Sequence, residues 1–307
     1  MRARHIKRIF TLFILLIAFS AGVYSQRVEV MEWYLKMGAP VLPDAIGYEE
    51  MTEQQEVKST TGEDVTEAEV EEEAVIDSEV PQDSTEPDLE VVVEAEVNDP
   101  EVPVEQELPE EVVETLPESV NLAVPFTSQA PHGNWDEPYQ ESCEEASVYM
   151  VHSYYEGVSA GPIPPDTADL DLLNIVAFEK ETFGYYEDTT AEKTGVLAEL
   201  KFGHTYKLIE NPTIEDIQTE LAAGHPVLLP AAGRLLGNPY FTAPGPLYHM
   251  LVIRGYTTDG QFIVNDPGTS RGEAFVYDAE TVLYAMHDWN DGGEITQGRK
   301  VVLVLYP

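Results

Sequence analysis

The sequence predicts an α+β fold for its C-terminal part. Apolar residues recur at helical spacing through residues 143–223. Short apolar or alternating runs, cut by Gly, Pro and Asp, then continue to the C-terminus. The preceding stretch, residues 49–120, has no aromatic residue and cannot share that core. Helices first and strands afterwards imply helices packed on an antiparallel sheet.

The elements follow from the N-terminus. Arg2, Arg4, Lys7 and Arg8 precede an apolar run from Ile9 to Val23. A basic region followed by an apolar one is an export signal. The run is shorter than the ~20 residues of a spanning helix, and Val23-Tyr24-Ser25 is a weak cleavage site. Residues 1–25 therefore read as a signal peptide or a membrane anchor. In either case the basic end stays cytoplasmic and the rest is exported, secreted or membrane-anchored. Residues 26–47, with Trp33 and Tyr34, read as a juxtamembrane segment. Residues 48–120 read as a disordered acidic linker, with 27 acidic residues against the single base Lys58. Such a segment cannot bury enough apolar surface to offset ordering, and its like charges extend it.

Residues 121–307 form the globular domain, large enough for one core. They hold 27 acids and 9 bases of a chain whose net charge is −41, so nucleic acid is not expected as a partner. A single cysteine excludes an internal disulfide and a multi-cysteine zinc site. With no HExxH pair, phosphate-binding loop or paired CxxC, neither metal nor cofactor is expected. The pattern predicts an extended segment at 122–126 and helices over 143–155, 168–181, 191–201 and 214–223. Strands follow in PVLLPAA, HMLVIRGY, QFIVND, EAFVYD and KVVLVLYP.

The one cysteine, Cys143, lies in PYQESCEEASVYM, among acids. Ser142 to Glu145 spells S-x-x-E ahead of an apolar-periodic run, a capping box. Cys143 then opens the helix and shares a face with Ala146, Ser147, Met150 and Tyr154. The helix dipole favours Glu144 and Glu145 in the first turn and also favours a thiolate on Cys143. The acids oppose the thiolate, so a reactive Cys143 needs a base. The competing reading is a small buried core residue.

Seven histidines are candidates. His5 lies in the leader, His152 is off the Cys143 face, His225 sits in a turn, and His204 and His287 lack an acid in register. His249 opens YHMLVIRGY, which a short polar loop joins to QFIVNDP as a hairpin. Pairing Gly255 with Phe262 puts Asp266 opposite Leu251, on the face of His249, and turns Asn265 to the other face. One slip in register would reverse this. A carboxylate that orients a histidine makes it a base, giving Cys143, His249 and Asp266 as nucleophile, base and orienter.

The stretches VPFTSQAPHGNW, PYQESCEEASVYMVHSYY, GHPVLLP, YHMLVIRGY and FIVNDP together resemble the papain-like, bacteriocin-processing cysteine peptidases of family thirty-nine and their stand-alone relatives, over about residues 122–306. The resemblance implies a papain-like α+β fold and an exported peptidase. Cys143 would attack a peptide carbonyl, His249 would shuttle the proton and Asp266 would orient it. It also implies an oxyanion-hole glutamine, Gln129 in preference to Gln140. Transporter-linked relatives often carry Gly where this chain has Glu144, and no transporter segment is present. The expected partner is a peptide or protein substrate. A non-catalytic peptide- or cell-wall-binding module, or an amidase or transferase using the same triad, remains the alternative. The loop GRLLGNPYFTAPGPLY, residues 233–248, is expected to line the cleft.

Overall fold

The computed structural model describes residues 40–62 and 115–307. The expected leader, residues 26–39 of the expected juxtamembrane segment and residues 63–114 of the expected linker lie outside the described residues. Residues 40–56 and 116–307 belong to one compact unit, whereas residues 57–62 fall in a second. Helix α1, Tyr48–Gly62, occupies the start of the segment read as disordered linker. That reading rested on the charge of 49–120 and overlooked what precedes it. Ile46 bridges Leu122 in parallel, and its N–H donates to Asn121 O at 2.8 Å. Tyr48 packs edge-on against Tyr154 and Tyr155, and Met51 is buried.

Strand β1, Val120–Asn121, enters the domain, and helices α2, Cys143–Tyr155, α3, Pro165–Thr182, and α4, Ala191–Phe202, follow. The extended segment expected at 122–126 forms only isolated bridges, at Leu122 and Phe126. Strand β2, Thr205–Glu210, and helix α5, Ile214–Ala222, precede β3, Val227–Ala231, β4, His249–Tyr256, β5, Phe262–Asn265, and β6, Phe275–Tyr277. Helix α6, Ala279–Ala285, and strand β7, Val301–Tyr306, complete the chain. The sheet order is β2-β7-β3-β4-β5-β6, with β1 added against β4. All of these pairings are antiparallel, so the fold class is the expected α+β.

Strands β3 and β4 are buried along their whole length, which is why they read as nearly unbroken apolar runs. Helix α2 lies against β4. It is buried on every side except at His152, rather than on the one face that its periodicity suggested. Small residues permit this approach: Ala146 is wholly buried, and Ser147 Oγ donates to Met250 O at 3.3 Å. The start of α2 thus rests beside the start of β4, which places Cys143 near His249.

Candidate active site

The turn before α2 differs from the capping box that S-x-x-E suggested. Residues Tyr139–Glu141 make one 3-10 turn, and Ser142 Oγ donates backwards to Pro138 O at 2.9 Å. Its hydroxyl is therefore not a helix cap. Glu145 does not fold back on Ser142 either; it is fully buried beside Glu179 of α3. Cys143 still opens the helix, so its backbone N–H is one of the donors that a first helical turn leaves without a helical acceptor.

Cys143 and His249 line one cleft of about 710 Å³, together with Gln129, Gln140, Glu141 and Asp188. The expected loop supplies Tyr240, Phe241, Thr242, Pro246, Leu247 and Tyr248 to the same cleft. His249 Nε2 lies 2.7 Å from Asp266 Oδ1, and both side chains are almost wholly inaccessible. The hairpin reaches this pairing by a route the sequence did not reveal. At the turn Gly255 pairs with Ile263, one residue away from the expected Phe262. A bulge between Ile253 and Gly255 then absorbs the extra residue, so Val252 faces Asn265. Asn265 points away as expected and donates to Val124 O and Pro125 O.

Three further donors converge on the Asp266 carboxylate. Asn238 Nδ2 and Tyr277 Oη reach Oδ2 at 2.9 and 2.8 Å, and Gly268 N–H reaches Oδ1 at 3.0 Å. Burial alone would raise the Asp266 pKa, but the His249 ring and these donors outweigh it and hold the pKa below its usual value. The strand pattern could have revealed Tyr277: its Cα partner is Phe262, which alternation places on the face of Asp266. Asn238 lies in a loop and leaves no such signal. The His249 ring itself is confined, with the Phe241 ring edge-on at 5.5 Å. Gly268 sits so close that an added methyl would lie 2.9 Å from His249 Cε1.

The nucleophile candidate has a different environment. The Cys143 thiol donates to Glu144 Oε2 at 2.9 Å, and Glu144 Oε1 accepts from Thr189 N–H at 2.8 Å. Burial pushes the Cys143 pKa well up, and the Glu144 charge and hydrogen bond add to this, against a smaller opposing effect of Met250 N–H. Glu144 is itself pushed up by burial and by Glu145. Behind it, Glu145 and Glu179 form a buried carboxyl pair whose oxygens have no other hydrogen-bond partner. Burial lifts Glu179 to about 8. The two glutamines both line the cleft. Gln129 Nε2 donates to Tyr139 O and Gln140 O, each at 2.9 Å, leaving its Oε1 unpaired. Gln140 Nε2 donates to Glu141 Oε1 at 2.8 Å. No group of three His, Cys, Asp or Glu among the described residues is arranged to hold a metal ion.

The sequence model of the Peptidase_C39 like family matches residues 121–293. The chain belongs to that family of peptidase-like domains. Among solved structures, it is similar to a protein of Bacillus anthracis described as a C39-like peptidase. The two share 17% identity and a TM-score of 0.40, over 62% of this chain and 98% of that one. It is also similar to a prointerpain A fragment from Prevotella intermedia, at 19% identity and a TM-score of 0.21, over 32% of this chain and 27% of that one. No curated protein sequence matches it.

Proposed function

We propose that residues 121–307 are an exported thiol hydrolase, a cysteine peptidase that cleaves peptide bonds through an acyl-enzyme. One observation carries the reading: the only thiol lines the same cleft as a buried histidine whose far ring nitrogen is held by a carboxylate. With Nε2 engaged by Asp266, Nδ1 is the ring nitrogen left to take the thiol proton. The Cys143 thiolate then attacks the carbonyl carbon. The intermediate collapses with cleavage of the C–N bond, and His249 returns the proton to the leaving amine. Water, activated by the same ring, releases the acid and restores the thiol.

The oxyanion needs donors. The backbone N–H of Cys143 is the donor on which the reading rests. Gln129 contributes only if its amide leaves the Tyr139 and Gln140 carbonyls. The thiol must also leave Glu144 before His249 can take its proton. That resting contact favours a second reading, in which the cleft binds peptides without cutting them. Support for export comes from the basic and apolar leader, residues 1–25. Among the described residues no helix is long and apolar enough to cross a membrane.

Labelling with iodoacetamide near neutral pH separates the two readings. A hydrolase gives a Cys143 rate above that of a free thiol, lost in His249→Ala, and cuts members of a peptide library. A Cys143 that reacts no faster than a free thiol, indifferent to His249, leaves only the binding reading.

A further inference from the structure

Two unlike sets of side chains line the cleft. Asp188, from the turn between α3 and α4, and Glu141, from the 3-10 turn before α2, supply carboxylates. Trp135, Tyr240, Phe241 and Leu247 supply an aromatic and apolar surface. Among the described residues no Lys or Arg lines the cleft, and the nearest cation to its aromatic side chains is Arg271, whose guanidinium lies over the Tyr240 ring at 5.0 Å.

Glu141 accepts from the Gln140 amide, whereas Asp188 lacks compensation. Asp188 has no hydrogen-bond or ion-pair partner among the described residues. It is crowded by Glu141, Glu187 and Asp291 as well as half-buried, and together these lift its pKa to about 6, burial being the largest cause. Its backbone has a φ of 48°, in the left-handed region that Asp tolerates better than most residues. The neighbouring chain is pinned in that position. Tyr186 Oη donates to Glu137, Thr189 N–H donates to Glu144, and Tyr248 Oη donates to Thr189 O. The contact through Glu144 ties Asp188 to the residue beside the nucleophile.

An independent acceptor lies in the same cleft. Gln129 is 4% exposed, and its Oε1 has no hydrogen-bond partner. A buried acceptor left unpaired is costly unless a ligand supplies the donor. An uncompensated carboxylate and an orphan acceptor in a cleft that also carries aromatic side chains match one kind of group: a cationic head on an aliphatic stem.

We infer that the cleft selects substrates carrying a lysine or arginine side chain, with its head against Asp188 and Glu141, its stem along Tyr240 and Phe241, and a substrate N–H on Gln129 Oε1. The inference deepens the peptidase reading and rests on it for the reaction.

Binding to the full chain tests it without turnover. The probes are Nα-acetyl-arginine amide and its uncharged isostere Nα-acetyl-citrulline amide, measured by calorimetry or NMR titration. The arginine probe should bind about tenfold more tightly, the worth of one charge-assisted hydrogen bond. That ratio should fall close to one in Asp188→Asn, whose side chain tolerates the same backbone region. Equal affinities, a ratio unchanged in Asp188→Asn, or no binding of the arginine probe each overturns the inference. The peptide library separates it from the reaction itself. Cleavage without preference for Lys or Arg removes the cation selectivity and leaves a peptidase. Asp188-dependent arginine binding without cleavage of any peptide leaves the cation site and removes the peptidase.

Discussion

Asp266 and the Glu145–Glu179 pair are buried carboxyls in the same domain, and they stand in opposite states. Asp266 receives the His249 ring and three donors, from Asn238, Tyr277 and Gly268. Its pKa stays low despite total burial. Glu145 and Glu179 have only each other, and both are pushed up. Burial is common to the two places, so the neighbours decide: the His249 ring and the donors lower the Asp266 pKa, whereas carboxyl neighbours raise those of the pair. One arrangement holds a charge ready for a histidine. The other favours protonated carboxyls, one of them on the helix that carries the thiol.

The most damaging break is Asp266→Ala. It frees the His249 ring and leaves the Tyr277 hydroxyl without its acceptor, while the Asn238 amide keeps only Tyr277 Oη. Peptide turnover should fall about 10²–10⁴-fold, the usual worth of a positioned acid–base group. Retained turnover would mean that His249 is not oriented by this carboxylate.

Glu144→Gln comes next. It replaces the acceptor beside the Cys143 sulfur with an amide that can donate, and keeps an oxygen for Thr189 N–H. The thiol pKa should drop and alkylation near neutral pH should quicken about tenfold, one pKa unit. An unchanged rate–pH curve would show that Glu144 exerts no brake.

The pH dependence of folding sharpens the comparison further. The Glu179 pKa is raised on folding, so the native state binds a proton that the unfolded chain has already lost. Stability from this group is complete below the ordinary carboxylate range and is lost as pH rises towards about 8. The slope is about 1.4 kcal/mol per pH unit for each such group. Urea unfolding of Glu179→Gln should show a flatter fall between pH 5 and pH 8 than the parent chain does. Equal slopes would mean that the pair is ionised without penalty.

Tyr277→Phe has the smallest expected effect. Its hydroxyl donates to Asp266 and accepts from Asn238, which keep each other, so a loss of about 1–2 kcal/mol in urea unfolding is expected for the two hydrogen bonds.

The α+β class, helix α2 with its first residue, and the strands that flank the cleft were legible because apolar periodicity is a local signal. Strand β2 escapes the pattern because it is a half-exposed edge strand whose alternation holds only over Thr205–Leu208 and breaks at Ile209. Pairing of His249 with Asp266 was anticipated from a register wrong at the turn and restored by the bulge, which no period-2 pattern encodes. The capping box failed because Ser142 had a nearer acceptor in Pro138 O. Glu145 reads locally as a helix-start acid, and only tertiary packing against α3 gives it a carboxyl neighbour instead.

The docking of residues 43–51 bears on the chain's covalent integrity. Asn121 Nδ2 holds Pro43 O at 2.8 Å, Ile46 exchanges backbone hydrogen bonds with Asn121 and Ala123, and Met51 is buried against Gly224. Each of these contacts joins a residue before position 63 to one after position 114. After a backbone cut within 63–114, the segment around Ile46 is expected to stay with the domain as a light chain, and size-exclusion chromatography of the nicked chain, followed by a denaturing gel, checks it.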